Sequence, residues 1–435
     1  MISTFLGIEI ARRGLQGNRN AMDVTAHNLA NAGTKGYTRQ NPIFVATDPY
    51  TIPNRNQRLI PGQIGTGTEV AQIRRIRDSL LDIQMRSALG EAGFWEERHG
   101  ILQQVEAVFP EPSDIGMLGL IGKFFNAWQE LNNSPQDPGV KAAVREVGEE
   151  LATTIRQTSK QLQEIKQNTE ESIGLKITEA NRIAAELGVL NKAIGKIVAA
   201  GNQPNDLLDR RDLLLDQLAV LGLVEAKEDA QGKVDVYFYG QQLVEVTGAV
   251  NTFDGVTNGE SGSLAGAESA LERVEQYISD IDLLADSVRD QVNSLHNVSP
   301  ANVNFFNPGS AGAANFEVSD EIKNDLNAVS GEQALVIAQL RYQLTMPPGN
   351  PSTTFEGFYR SLAAGIGADT EGAEYQVAGS KAVTGQLENL RQSVAGVSLD
   401  EELTRLTQFQ YAYQASARVV AVMDDILDTL INRLR

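Results

Sequence analysis

The sequence predicts a mainly α-helical chain: a long coiled-coil-like helical bundle formed by its N- and C-terminal parts, with a small β insertion domain in the middle. Three observations carry this. From Val397 to Arg435, Leu399, Leu406, Tyr413, Val420, Leu427 and Leu434 lie seven apart, and Phe409, Met423 and Leu430 add the second apolar position of a heptad. At the opposite end Ile8, Leu15, Met22 and Leu29 are also seven apart, with small Ala11, Thr25 and Ala32 three residues after three of them. Between them, one stretch alternates with the period of a strand, Gly232 to Gly240 followed by Leu243 to Val246.

The C-terminal stretch contains neither proline nor glycine. At about 1.5 Å per residue it forms a rod of roughly 55 Å, too long for one small core to cover, so it needs a partner helix. The commoner meaning of such a stripe is the buried face of a separate amphipathic helix. Length, and a matching stripe at the other extreme, favour pairing of residues 1–40 with 397–435. Between them we expect an extended β segment leading into a helical bundle over 41–222, a β insertion domain over 223–262, and returning bundle helices over 263–396 with a loop-rich segment at 298–330.

Composition narrows the function. The 435 residues are 42% hydrophobic, enough to build cores in two to four structural units. Lys and Arg number 37 against 56 for Asp and Glu, a net charge of −19, which argues against nucleic acid as a partner because phosphate binding rests on a basic surplus. There is no cysteine, so disulfides and thiolate metal sites are not expected. The N-terminus (MISTFLGIEIARRGLQ) lacks the pattern of a cleaved secretory signal, and no run of 18 apolar residues predicts membrane insertion.

Taken in order, residues 3–32 form the first helix, and Asn31 to Gly36 ends it in a tight reversal, Asn and Gly being the residues that tolerate left-handed backbone. The run Asp23 to Gln40, DVTAHNLANAGTKGYTRQ, resembles the signature of bacterial flagellar axial proteins, the rod, hook and hook-associated proteins. Its Gly36-Tyr37-Thr38-Arg39-Gln40 version is most similar to the hook-associated protein 1 family of the hook-filament junction. From Arg39 to Arg77 the chain is extended, with one or two short strands ending in the basic group Arg74, Arg75 and Arg77, which we expect to pair with carboxylates. Arg74 to Asp78 followed by Leu80-Leu81 also matches the family.

Helix resumes from Asp78 to Phe109 and stops at Pro110 and Pro112. A short helix from Ile115 to Leu131 carries Phe124, Phe125, Trp128 and Leu131 on one core-facing side. After the break Asn132 to Pro138, a very long polar helix runs from Gly139 to about Ala200; its sparse Ile173, Ile177, Ile183, Leu187, Leu190 and Ile194 suggest an antiparallel coiled partner rather than a globular core. The stretch Asn202 to Asp212 opens the next helix, and Asp209, Arg210, Arg211 and Asp212 at helical spacing predict exposed or interhelical ion pairs of small individual worth. The family shows a similar Leu-Leu-Asp-x-Arg-Asp segment before a small β domain. A helix over 265–297 follows, with Val292 to His296 again similar to the family. The loop from Val298 to Gly312 is shorter than the family's, Phe316 to Val318 reads as an isolated strand, and a short helix, a Pro-rich link and a helix over 353–394 lead to the terminal heptad helix.

Catalytic or cofactor chemistry is not predicted. His27, His99 and His296 are far apart, no phosphate loop or nucleophile elbow occurs, and Asp424 and Asp425 point to different sides of a helix. No cofactor and no metal are expected, and the chain is not expected to be an enzyme. The resemblance, most specific at Leu399 to Glu402 and Tyr411 to Ala417, implies a structural subunit joining hook to filament. It implies export through the flagellar type III apparatus without a cleaved signal, an extracellular location, and capture of the C-terminal helix by a cytoplasmic chaperone. It implies as partners the hook protein, the second hook-filament junction protein and copies of itself. The assembly residues it points to are Ile8, Leu15, Met22, Leu29, Asn28, Asn31, Gly36 and Tyr37 at one end. At the other they are Leu399, Leu406, Phe409, Tyr413, Val420, Met423, Leu427, Leu430 and Leu434. Rod, hook or flagellin-like proteins would share both ends, and a cytoplasmic coiled-coil scaffold would share the seam.

Overall fold

A computed structural model describes residues 5–49, 64–110, 116–255, 259–299 and 302–429, and 68% of these described residues are helical. Helix α1 (Leu6–Ala30) leads through a turn into an antiparallel pair, β1 (Gln40–Ala46) and β2 (Thr68–Arg75), in which Gln40 faces Arg75 and Ala46 faces Thr68. Helix α2 (Ser79–Val108) starts where the Asp78 carboxylate accepts the Leu80 and Leu81 N–H groups, filling donors that a helix start leaves open. Helices α3 (Met117–Asn133) and α4 (Pro138–Ala199) follow. Helix α4 combines an Asp137 cap with proline at its first position and runs for 62 residues, about 90 Å.

Helix α5 (Asn205–Leu221) leads to a three-stranded antiparallel sheet ordered β3 (Val224–Glu228), β4 (Val234–Phe238) and β5 (Gln241–Val244), the last two joined by a Tyr239-Gly240 turn. Helix α6 (Ser263–His296), the short α7 (Asp320–Asn324) and α8 (Ala334–Gln339), the long α9 (Phe355–Ala395) and α10 (Leu399–Asp428) complete the chain. Among the described residues no helix is long and apolar enough to cross a membrane.

The main core lies among α2, α3, α4, α6 and α9. The aromatic face of α3 expected from its spacing is buried there: Phe124, Phe125, Trp128 and Leu131 are at most 1% exposed. Phe305 and Phe306 meet edge to face at 5.0 Å, Trp128 lies 5.1 Å from Phe305, and Phe306 bridges to Val318, the isolated extended pairing anticipated there. His296 closes this core: its Nδ1 donates to the Val303 carbonyl at 2.7 Å, and its Nε2 accepts the Ser330 N–H at 3.2 Å. Burial holds its pKa below the ordinary histidine value, so the neutral ring fits these two bonds.

The second core corrects one expectation. Ile183 and Leu187 of α4 are packed not by an antiparallel coiled partner but into a globular core, with Leu214 and Leu218 of α5, Val236 and Phe238 of β4, and Phe253. Helical periodicity marks which face is covered and leaves open what covers it. Here one buried face of a small sheet does so, and Asn191 stitches α4 to it by donating to the Val234 and Glu245 carbonyls and accepting the Val234 N–H.

Candidate functional site

Helices α1 and α10 lie side by side and antiparallel, outside both cores. A Cβ on Gly7 would collide with Met423 Cε, a Cβ on Gly14 would meet Ser416 Oγ at 2.9 Å, and Asn28 Nδ2 donates to Glu402 Oε2 at 2.9 Å. The three pairs are separated by seven and fourteen residues in both helices, so the seam has a heptad period. The side that α1 presents to it is made of small or polar residues, Gly7, Gly14, Ala21 and Asn28, of which the last two are buried. Small residues let two helices approach, and a side chain at 7 or 14 would have to displace Met423 or Ser416.

Asn28 is the node at the base of the pair. Besides Glu402, its Nδ2 donates to the Gln40 carbonyl at 2.8 Å, while its Oδ1 accepts from the Tyr37 hydroxyl at 2.7 Å and from the Gln40 N–H at 2.9 Å. Gly36, at φ 82°, turns the chain so that Tyr37 reaches back. Asn31 bonds the His27 carbonyl and receives the Thr34 hydroxyl, which finishes the helix end. Burial and the carboxylates of Asp206, Asp209 and Glu402 push the Tyr37 phenol pKa upward, keeping it a donor.

The large apolar residues of the two heptad rows are not sealed. Ile8, Leu15, Met22 and Leu29 each follow a seam residue by one position, about 100° round the helix, and are half-buried. On α10, Leu406, Phe409, Val420, Met423 and Leu427 are half-buried, and Leu399 and Tyr413 are exposed. Phe409 packs on Phe44 of β1 at 6.0 Å. Leu430 and Leu434 lie outside the described residues.

Below the pair a buried charge cluster joins it to the body. Asp209 and Asp212 of α5 both accept from Arg75, at 2.7 and 2.9 Å; Arg77 bonds Asp82 and lies 3.1 Å from Asp212; and Asp216 receives Arg86 and Arg391. The cluster draws together β2, α2, α5 and α9. Arg211, Arg77, Arg75 and Arg86 overcome the burial of Asp212 and hold its pKa at about 2, whereas burial dominates at Asp209 and raises it. This is the second correction. Asp209, Arg211 and Asp212 are expected as exposed or interhelical pairs of little worth; they are at most 6% exposed, and only Asp212 reaches another helix, through Arg86, while Asp209 pairs with Arg75 of β2 and Arg211 with Glu228 of β3. In a buried cluster, removing one partner leaves a charge uncompensated and costs about 3–5 kcal/mol. Arg210 does sit at the surface, with Glu186.

Three family models match the chain: "Flagellar hook-associated protein FlgK helical domain" over residues 102–254, "Flagella basal body rod protein" over 8–38, and "Flagellar basal body rod FlgEFG protein C-terminal" over 391–434. Flagellar hook-associated protein 1 of Bacillus subtilis is 28% identical over 501 residues, spanning 99% of this chain and 99% of its own. The Escherichia coli protein of the same name is 22% identical over 98% of this chain and 99% of its own. The chain is thus similar to flagellar hook-associated protein 1 over nearly its whole length.

A solved structure, the flagellar hook junction protein FlgK from Burkholderia pseudomallei, shares this fold with a TM-score of 0.63 at 13% identity, covering 72% of this chain and 100% of that one. The chain is thus a structural component of the flagellum. The two rod-type matches cover α1 with its turn, and α10, while the hook-associated match covers much of the body. The charge cluster and the Asn28 node lie where these segments meet. Neither was assembled from sequence: Glu402, Gln40, Asp82, Arg86, Asp216 and Arg391 went unnoticed as site residues. One signal was present, since Asp209, Asp212 and Asp216 repeat at three and four residues and so share one face of α5.

Proposed function

We propose that the chain joins hook to filament, and that it assembles through its paired terminal helices after export by the flagellar type III apparatus. The observation that carries this is the state of the seam. Helices α1 and α10 are held in register by Gly7–Met423, Gly14–Ser416 and Asn28–Glu402, yet leave Leu399 and Tyr411 more than half exposed. Such a face is stabilised only by further helices, which neighbouring subunits supply. Head-to-tail contacts of this kind close into rings or open into helical tubes.

On this reading the partners are copies of the same chain, the hook protein and the second junction protein, and the protein works outside the cell. A cytoplasmic chaperone covers the α10 face before export. In the tube the terminal pair forms the inner layer around the axial channel, and β3–β4–β5 faces outward. Truncation after Val420 tests it: incorporation into flagella is lost while the body keeps its fold, and normal filament growth from the truncated chain refutes it. The rod-type matches at both ends favour a second reading, another axial subunit. A deletion strain that keeps its hook but sheds unpolymerised flagellin supports the junction role; a strain without a hook supports the alternative.

A further inference from the structure

The chain has no cysteine, so methionine carries all of its sulfur. Of its six methionines Met1 lies outside the described residues, and the other five fall into two groups. Met85 of α2, Met117 of α3 and Met346, ahead of α9, are at most 4% exposed. Met22 of α1 and Met423 of α10 are half-buried, and both belong to the terminal pair. Among the described residues, the sulfur open to a small oxidant therefore lies on the two helices at the ends of the chain.

These two methionines are not placed alike. A Cβ built on Gly7 would lie 3.2 Å from Met423 Sδ and 3.5 Å from its Cγ and would collide with its Cε, so the end of the thioether fills the space that glycine leaves. Met423 supplies the one apolar side chain among the three seam contacts, the others being Gly14–Ser416 and Asn28–Glu402. It also lies at the end of the pair remote from the joint, with Gly7 in the first turn of α1 and Met423 in the last two turns of α10. End turns open most readily, which brings the sulfur to solvent. Met22 follows the seam residue Ala21 by one position and flanks the contact.

We propose that Met423 is a site of oxidation by hydrogen peroxide, and that its sulfoxide releases the remote half of the terminal pair. In the step the sulfur gives an electron pair to one peroxide oxygen, the O–O bond breaks, and the second oxygen leaves as water with both hydrogens. Methionine is oxidised by two electrons and the peroxide is reduced by two. A polar, chiral sulfoxide then replaces a flexible apolar thioether. Its oxygen either enters the space where Sδ lies against Gly7 or turns the side chain outward, and in both cases the contact that holds α10 on Gly7 is lost. Gly14–Ser416 and Asn28–Glu402 do not involve sulfur, so the half of the pair nearer the joint stays closed. The terminal pair thus carries an oxidant-sensitive catch of its own.

The test treats the full chain with hydrogen peroxide, follows each methionine by peptide mass spectrometry and follows each helix by amide exchange. Met423 and Met22 are expected to gain one oxygen roughly tenfold faster than Met117 and Met346. As Met423 is converted, exchange at the start of α1 and the end of α10 should speed up about fivefold, while residues 144–165 of α4 stay protected. Met423→Leu keeps the apolar volume without the sulfur and should abolish this response, whereas Met22→Leu should leave it intact. Met423→Gln, polar and unbranched, should show the faster exchange with no oxidant present. Conversion of Met423 no faster than that of Met346 overturns the proposal. So does full oxidation of Met423 with exchange of α1 and α10 unchanged, or a peroxide response that persists in Met423→Leu.

Discussion

In the body, Phe124, Phe125, Trp128, Phe305 and Phe306 are each at most 1% exposed; in the 30-residue α10, Glu402 alone is buried among the described residues. Both regions are helical and both repeat apolar residues at three and four. The body closes because aromatic residues from α3 and the 305–316 loop fill the space between α2, α4, α6 and α9. The terminal pair does not, because two helices and a hairpin cover only part of each heptad row. Its close contacts are made through glycine, methionine, serine, asparagine and glutamate, which fix spacing and register while burying little apolar area. A chain can thus carry one region that is finished on folding and another that is specified but incomplete.

Substitutions should separate the two. The largest effect is expected from Trp128→Ala, which opens a cavity in the body and lowers unfolding free energy by about 3–5 kcal/mol in denaturant melts. Asp212→Ala comes next, at about 3 kcal/mol, because four arginines around it lose a buried counter-charge. It also loosens the joint, so limited proteolysis between residues 64 and 78 should speed up. Asn28→Ala removes one donor and one acceptor that serve four bonds, and costs about 1–3 kcal/mol. That loss should appear as earlier exchange of α1 and α10 amides, with the main melting transition unmoved. An equal loss in α3 and α6 would mean that the two regions fold as one.

The smallest effect is one of pH. The folded His296 has its pKa below the unfolded value of 6.5, so the unfolded chain binds more protons as pH falls through 6.5. Stability therefore declines below pH 6.5 and levels off under the folded pKa, with a slope of at most about 1.4 kcal/mol per pH unit for one proton. His296→Gln should flatten this slope in melts recorded between pH 7 and 5. A steeper slope in the variant would assign the acid sensitivity elsewhere.

Much of this was legible in the sequence where a period or a breaker carries the signal. The limits of α2 follow from Asp78 and Pro110, the α3 core face from the spacing of Phe124, Phe125 and Trp128, and the β4–β5 hairpin from its alternation. The heptad rows at both ends also stand out, and Met423 of the C-terminal set does meet α1 at Gly7, while Ile8, Leu15, Met22 and Leu29 flank the seam by one residue. On α1 the close approaches fall at Gly7 and Gly14, whose small size permits them and whose apolar signal is weak. The joint was illegible for a different reason. Its arginines lie at 75, 77, 86 and 391 and its carboxylates at 82, 209, 212 and 216, and only the folded path of the chain reveals that they share one buried volume.

The central claim is that the terminal pair is incomplete in one chain and completed by its neighbours. Hydrogen exchange of the α10 amides over residues 399–428, compared between dilute monomer and assembled protein, tests this directly. The account predicts exchange in the monomer far faster than for residues 144–165 of α4, and slowing by at least a hundredfold on assembly. Protection already equal to that of α4 in the monomer, or unchanged by assembly, would contradict it.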